Sequence, residues 1–406
     1  MAGVGHYDAM HNEESAARNT IRNILTRDFV LGFLALFAFT CGFTTLFPTL
    51  PIFFAQLGSN EREIGMLIGV FGIAALVSRL FVGGALTKYS EKKVMMFGAA
   101  LFAVTFLASI VLRPFWPFFA VRIFQGVALA SMDTAAFAFI INAIPPAHRG
   151  QSIGYFLLAP NFSLAIMPSF AMLLINQYSF TVLFLICMCL SLCSLFFSWK
   201  VKERMAIAPE GGSSANGTLF FDLKIVAPAI SSFLQTFVWG SLIAFLPLYA
   251  IQCKIANPGH FFSAIAVMLI AGRTIGGRIV DTYMKERIIL TFICIFIIAM
   301  VILSFSRTLP MLVLVGLLWG TGTAFFVPAS MAYSLNYAGS SSGASVGTFR
   351  AFTDLGQALG PVIVGIIIPL TGYRVMFLCL AFVSVVNLVY FQFYVRKRGN
   401  VAPRVY

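Results

Sequence analysis

Charge is what this sequence has least of. Only 10% of its 406 residues are Asp, Glu, Lys or Arg, against about a quarter in an ordinary globular chain. So few charges cannot coat a water-exposed surface of that size, which excludes a cytosolic enzyme, a secreted disulfide scaffold and a disordered chain. Histidine is scarcer still. His6, His11, His148 and His260 all fall in tails or loops, and no His-Glu-x-x-His run exists, which argues against an intramembrane metalloprotease or a haem protein. The seven cysteines (Cys41, Cys187, Cys189, Cys193, Cys253, Cys294 and Cys379) lack zinc-ligand spacing and read as small packing residues. No G-x-x-x-x-G-K-[ST] loop is present, which argues against ATP-driven work. No nucleophile–base pair stands out either. The sequence therefore implies no enzyme, metal or cofactor.

What is present is apolar. Hydrophobic residues make up 60% of the chain, 44 of them Phe, and the mean hydropathy is +0.93. A helix crossing about 30 Å of hydrocarbon needs about 20 mostly apolar residues. Twelve segments qualify: 29–57, 64–86, 94–112, 117–144, 151–175, 179–199, 224–252, 259–282, 288–305, 310–336, 346–371 and 374–395. The runs do not alternate as barrel strands would, and the first follows a polar tail, unlike a cleaved signal peptide.

The net charge of +13 would suggest nucleic acid in a soluble protein. In a membrane protein Lys and Arg mark the cytoplasmic side. With the N-terminus inside, 17 of the 27 basic residues fall in cytoplasmic segments, 5 outside and 5 within helices. Both termini are thus expected in the cytoplasm and no nucleic-acid partner is needed. The expected organisation is a tail (1–28), six helices (29–199), a Gly- and Ser-rich linker (200–223), six helices (224–395) and a second tail (396–406).

The halves repeat. A shift of 194 places Arg79 and Gly83 on Arg273 and Gly277, and Gly126 on Gly320. A shift of 193 places Ser152-Ile-Gly154 on Ser345-Val-Gly347 and Pro168 on Pro361. These residues resemble the major facilitator superfamily, and in particular its drug:proton antiporter-like exporters. The most specific element is the loop after the second span, G-x-L-x-D-[RK]-x-G-[RK]-[RK] in that family. Here Gly83 and Lys88 match, while Thr87 and Ser90 replace the acid and the second glycine. The later copy keeps Asp281 after Gly277. Arg122-Ile-Phe-Gln125-Gly126 looks like the family's R-x-x-Q-G. Its G-x-x-x-G-P signature is eroded at Ser163–Pro168 and intact at Gly356–Gly360–Pro361.

The resemblance implies two six-helix bundles rocking about a midplane site. It also implies a conformational latch around Gly83, Lys88, Arg79, Gly277, Asp281 and Arg273. The expected setting is the inner (cell) membrane, with a small molecule, protons and lipid as partners and a monomeric chain.

An ionisable residue within a span is a functional candidate by default. Arg79, Arg273, Arg278 and Asp281 are placed near helix ends, where a structural or snorkelling role competes. Arg122 and Asp133 share one face of their helix, roughly 16 Å apart along it. Arg350 and Asp354 stand at i,i+4, where they can pair. They are either a self-neutralised pair or a carboxylate that exchanges its Arg for a proton or substrate. Asp133, Asp354, Arg122 and Arg350 are the proton-coupling candidates. Asn161, Gln235, Trp239, Phe43, Phe47 and Gln125 are the candidate cavity liners, Asn161 being the neutral counterpart of Asp354. The excess of interior Arg leans towards substrates with an anionic group, such as organic acids or carboxylate-bearing metal chelators. The leading expectation is a proton-coupled exporter. An uptake symporter of the same fold and a non-transporting membrane receptor or assembly factor are its rivals.

Overall fold

The structure is a computed structural model that describes residues 25–112, 115–144, 149–203, 225–282, 284–336 and 342–399; the side chains of 149–151, 273–282, 342–344 and 398–399 fall outside it. It is all-helical, with no strand among the described residues. In chain order the helices are α1 (Arg27–Gln56), α2 (Glu61–Ala85), α3 (Glu91–Val111), α4 (Phe115–Ala143), α5 (Arg149–Phe156), α6 (Leu158–Gln177) and α7 (Phe180–Lys200). They continue with α8 (Val226–Gln252), α9 (Gly259–Thr282), α10 (Lys285–Phe305), α11 (Leu309–Leu335) and α12 (Ser342–Tyr390), which ends in a short π-turn, Phe391–Val395.

Local chemistry sets the starts. The Thr26 hydroxyl accepts from the Phe29 N–H at 3.2 Å, and Asn60 and Glu63 form a reciprocal capping box at α2, each satisfying donors that a helix start leaves open. Polar residues inside apolar helices are satisfied along the helix. The hydroxyls of Thr40, Thr44, Thr45 and Thr49 each donate to the carbonyl four residues back, so burying them leaves no orphan donor.

Ten helices are long and apolar enough to cross a membrane among the described residues, with Gly259–Gly272 of α9 a shorter apolar stretch. The sequence predicts separate spans over 346–371 and 374–395. They are the two parts of α12, joined at Gly372, whose φ of 76° and ψ of 167° break the helix. That backbone conformation is open to glycine and strained for other residues.

Packing follows the apolar faces. α1 lies on α6 and α7, α3 on α4 and α7, and α2 on α4; further along, α8 lies on α12, α9 on α11, and α10 on α11 and α12. Aromatic rings fill both groups. Phe53, Phe118, Phe180 and Phe184 interlock in the first, and Phe296, Trp319 and Phe326 in the second. The groups meet where α2 touches α12, α6 touches α9 and α1 touches α8. The α2–α12 contact places the charged residues.

Candidate functional site

Glycines bring three helices together around Arg79. Gly126 of α4 sits against the Phe71 carbonyl and Ala75 of α2, so a side chain there would push the helices apart. Gly69 and Gly72 sit in the same way against Ala358 of α12. Two turns beyond Gly72, about 10 Å along the helix, α2 presents Arg79. Seven residues beyond Gly126, α4 presents Asp133. One turn back from Ala358, α12 presents Asp354.

The Arg79 guanidinium lies between both acids. Its Nη1 donates to Asp133 Oδ2 at 2.8 Å, while its Nε stands 3.1 Å from Asp354 Oδ2. The two legs differ. The first is an aligned charge-assisted hydrogen bond, the stronger kind. The second is a charge contact only, because Arg79 Nε and Asp354 Oδ2 lack a hydrogen-bond partner. Side-chain exposures of 27% for Arg79, 30% for Asp133 and 23% for Asp354 leave the cluster partly reachable.

This geometry corrects one expectation, the Arg350–Asp354 pair, and places two other candidates. Arg79, expected as part of a latch, is the common partner of the deep acids, six residues before α2 ends at Ala85. Arg350 does not pair with Asp354; it is exposed, and Asp354 meets Arg79 instead. Arg122 does not share in the acid cluster. Its Nε donates to the Leu67 carbonyl at 2.9 Å, its Nη1 to Gln125 Oε1 at 2.7 Å, and its guanidinium lies 4.3 Å from the centre of the Phe71 ring. Gln125 is thereby the buried partner of Arg122 and does not line the cavity that Asp354 borders. Arg122 borders a small void of about 40 Å³ with Phe43 and Phe47.

The cavity that Asp354 borders, about 300 Å³, is walled mostly by α8, α9, α11 and α12. Gln235, Trp239, Trp319, Arg350, Asp354 and Gln357 line it. Asn161, on α6, is buried with its amide nitrogen unpartnered but is not among the lining residues. The side chains of Arg273, Gly277 and Asp281 lie outside the described residues.

At the other end of α2, charge is replaced by backbone. Gly65 lies against the Pro361 carbonyl, and Gly365 against that of Glu61. Beside them Gly259 of α9 abuts Pro168 and Ser169 of α6. Asn257 donates to the Ser169 carbonyl at 3.2 Å, and the Ser169 and Ser263 hydroxyls meet at 2.9 Å. Phe47 of α1 packs edge-on against Trp239 of α8.

The loop after α2 is tied from elsewhere. Gly83 and Lys88 are exposed, and the Thr87 hydroxyl, standing where the resembling family has its acid, donates to the Gly84 carbonyl at 2.8 Å. The acid at this loop comes from beyond α7. Glu203 accepts from the Ser90 hydroxyl at 2.9 Å and lies 3.0 Å from Lys93 Nζ. Those two donors hold its carboxyl below the usual range. Nearby, Glu91 is buried and accepts from Asn142 at 2.7 Å. Sequence reasoning missed both acids, since each lies outside the apolar runs where charge attracts notice.

The family model of the Major Facilitator Superfamily matches residues 32–308 and 259–405. The chain is 22% identical over 379 residues to the staphylopine export protein of Staphylococcus aureus, covering 88% of this chain and 94% of that one. It is 24% identical over 393 residues to the multidrug resistance protein MdtG of Enterobacter lignolyticus, covering 93% and 94%. Among solved structures, the nucleoside transporter NupG superposes with a TM-score of 0.75 at 15% identity over 90% of this chain and 98% of that one. The human organic anion transporter MFSD10 does so with 0.66 at 17%, over 90% and 99%. Together with the long apolar helices, these matches establish that this chain is a multi-pass membrane protein of the Major Facilitator Superfamily, a family of transporters and not of enzymes.

Proposed function

We propose that the chain is a proton-coupled exporter of a small molecule, working by alternating access around the α8–α12 cavity. Twelve spans cross the inner membrane in two six-helix halves, 29–199 and 224–395, with both termini cytoplasmic. The excess of Lys and Arg in the segments between even and odd spans supports that orientation. The glycine seam then lies at the outer end and Arg79 towards the cytoplasm. Two relatives named as exporters, of staphylopine and of drugs, support the direction.

The observation that carries the reading is the unequal sharing of Arg79. It is hydrogen-bonded to Asp133 in its own half and only charge-paired to Asp354 across the interface. Protonating Asp354 removes the charge that Arg79 faces in the other half, while Asp133 keeps the guanidinium from wandering. The inner ends of the halves are then free to part. Losing that proton to the cytoplasm restores the contact. Asp354 also lines the cavity, so its protonation changes the charge of the wall against which the solute sits, as coupling requires.

The test begins with the metabolites secreted by a strain lacking the chain and by one overproducing it. Everted vesicles then receive the solute so identified. An exporter accumulates it only while a proton gradient is held, and Asp354→Asn abolishes that dependence. Accumulation only in right-side-out vesicles, or full coupling retained in both Asp133→Asn and Asp354→Asn, overturns the reading.

A further inference from the structure

The cavity that Asp354 borders contains side chains that make no hydrogen bond or ion pair among the described residues. Gln235 is only 5% exposed, yet neither its Nε2 donor nor its Oε1 acceptor has a partner. Among the described residues it is the one side chain on the cavity wall whose amide has both ends buried without a partner. A buried amide is costly to leave so, and what would satisfy it is a ligand presenting an acceptor beside a donor. Arg350 lines the same cavity and has no ion-pair partner among the described residues, since the acid one turn along is held by Arg79. The same cavity has flat apolar walls. Trp239 and Trp319 stack at 6.1 Å and 19°, and Phe296 lies 4.7 Å from Trp319.

We propose that this cavity selects solutes that join a carboxylate to a planar aromatic body through an amide-like donor–acceptor pair. Arg350 takes the carboxylate, which its planar fork fits in two parallel hydrogen bonds. Gln235 takes the amide edge and the Trp239–Trp319 wall takes the ring. An aromatic cation is disfavoured, because the acid it would seek already faces the Arg79 charge and the other charge on the wall, Arg350, is positive. The inference rests on the transport reading for its meaning, since it names the class of solute carried.

The test uses equilibrium binding to the full-length protein in nanodiscs, with no gradient. Three probes share a phenyl ring: hippurate (carboxylate and amide), hippuramide (the neutral analogue) and benzyltrimethylammonium (the cation). Hippurate should bind about tenfold more tightly than hippuramide, and the cation least well. Arg350→Gln should bring the hippurate-to-hippuramide ratio to about one, while Arg350→Lys restores most of it. Gln235→Leu should weaken both amides without moving that ratio. A variant counts only if it unfolds cooperatively on heating.

Stronger binding of the cation, an unchanged ratio in Arg350→Gln, or no binding of any probe to the folded wild type overturns the inference. Because no gradient is used, the outcome separates from the transport test. Coupled flux with no carboxylate preference sinks the substrate class alone. Preference without coupled flux sinks the exporter reading alone.

Discussion

α2 meets α12 twice, and the two meetings are made of opposite materials. At one, Gly65, Gly69 and Gly72 lie on Ala358, Pro361 and Val362, backbone against backbone. At the other, Arg79 reaches Asp354 through side chains at 3.1 Å. Close packing is lost within a fraction of an ångström of separation, so the first contact is either made or not, and no proton changes it. A charge contact acts over longer distances and vanishes when one partner is neutralised. One helix thus carries a seam that responds to shape and a clasp that responds to chemistry. The difference teaches where a coupled ion can act.

Removing the clasp altogether is the most disruptive change. Arg79→Gln leaves Asp133 and Asp354 facing each other with no cation. For a fully buried pair such a loss costs about 3–5 kcal/mol; with each group about a quarter exposed, about 2–3 kcal/mol is expected after discounting for solvent. Thermal unfolding in nanodiscs reads it. A loss no larger than for an exposed Lys substitution such as Lys88→Gln would mean the clasp holds nothing.

The seam should yield next. Gly69→Val puts a side chain onto the Ala358 carbonyl and Val362, an overpacking worth about 1–3 kcal/mol. Because the contact is all-or-none, the variant should part at this end. Cysteines placed at Ile64 and Ile368, both buried in the wild type, should then become reactive to a water-soluble maleimide, and that reactivity should not vary with pH. A pH-dependent change would break the comparison.

The two acids of the clasp should separate stability from coupling. Asp133→Asn removes an aligned charge-assisted hydrogen bond, a loss of about 1.5–3 kcal/mol. Asp354→Asn removes a contact without hydrogen-bond alignment and should cost less than about 1 kcal/mol. The order in coupling is the reverse, because only Asp354 reaches the other half. Equal stability losses with equal coupling losses would show the legs to be equivalent.

Much of this was legible in the sequence. The long apolar runs predict the helices because the bilayer's thickness demands about 20 residues of them. The deep acids Asp133 and Asp354 stand out for the same reason. Their partner does not. Depth read along a single helix assigns Arg79 to an end and pairs Arg350 with Asp354 by i,i+4 spacing, yet the choice of partner is made between helices. It depends on Gly72 and Gly126 letting α2 approach α12 and α4, which composition cannot reveal. Gln235 is visible as an amide in an apolar span, whereas its want of a partner exists only in three dimensions. Gly372 breaks a helix that the hydropathy pattern also interrupts, though the pattern cannot say how.

The smallest expected effect lies outside the spans and sharpens the contrast with the seam. Glu203 joins the segment after α7 to the start of α3 through Ser90 and Lys93. Its carboxyl is held below the usual range chiefly by the Lys93 hydrogen bond. A carboxyl depressed in the fold contributes stability that is complete above its unfolded value and is lost as pH falls through the folded one. Hydrogen exchange across residues 86–93 should therefore be slow at neutral pH and should quicken under acid, once the intrinsic pH dependence of exchange is removed. Glu203→Gln should quicken it at neutral pH and flatten the acid response. Since Lys93 and Glu203 are well exposed, 1 M salt, with a screening length of about 3 Å, should do much the same. The glycine seam, whose contacts are backbone and apolar side chains, should keep its protection under all three conditions.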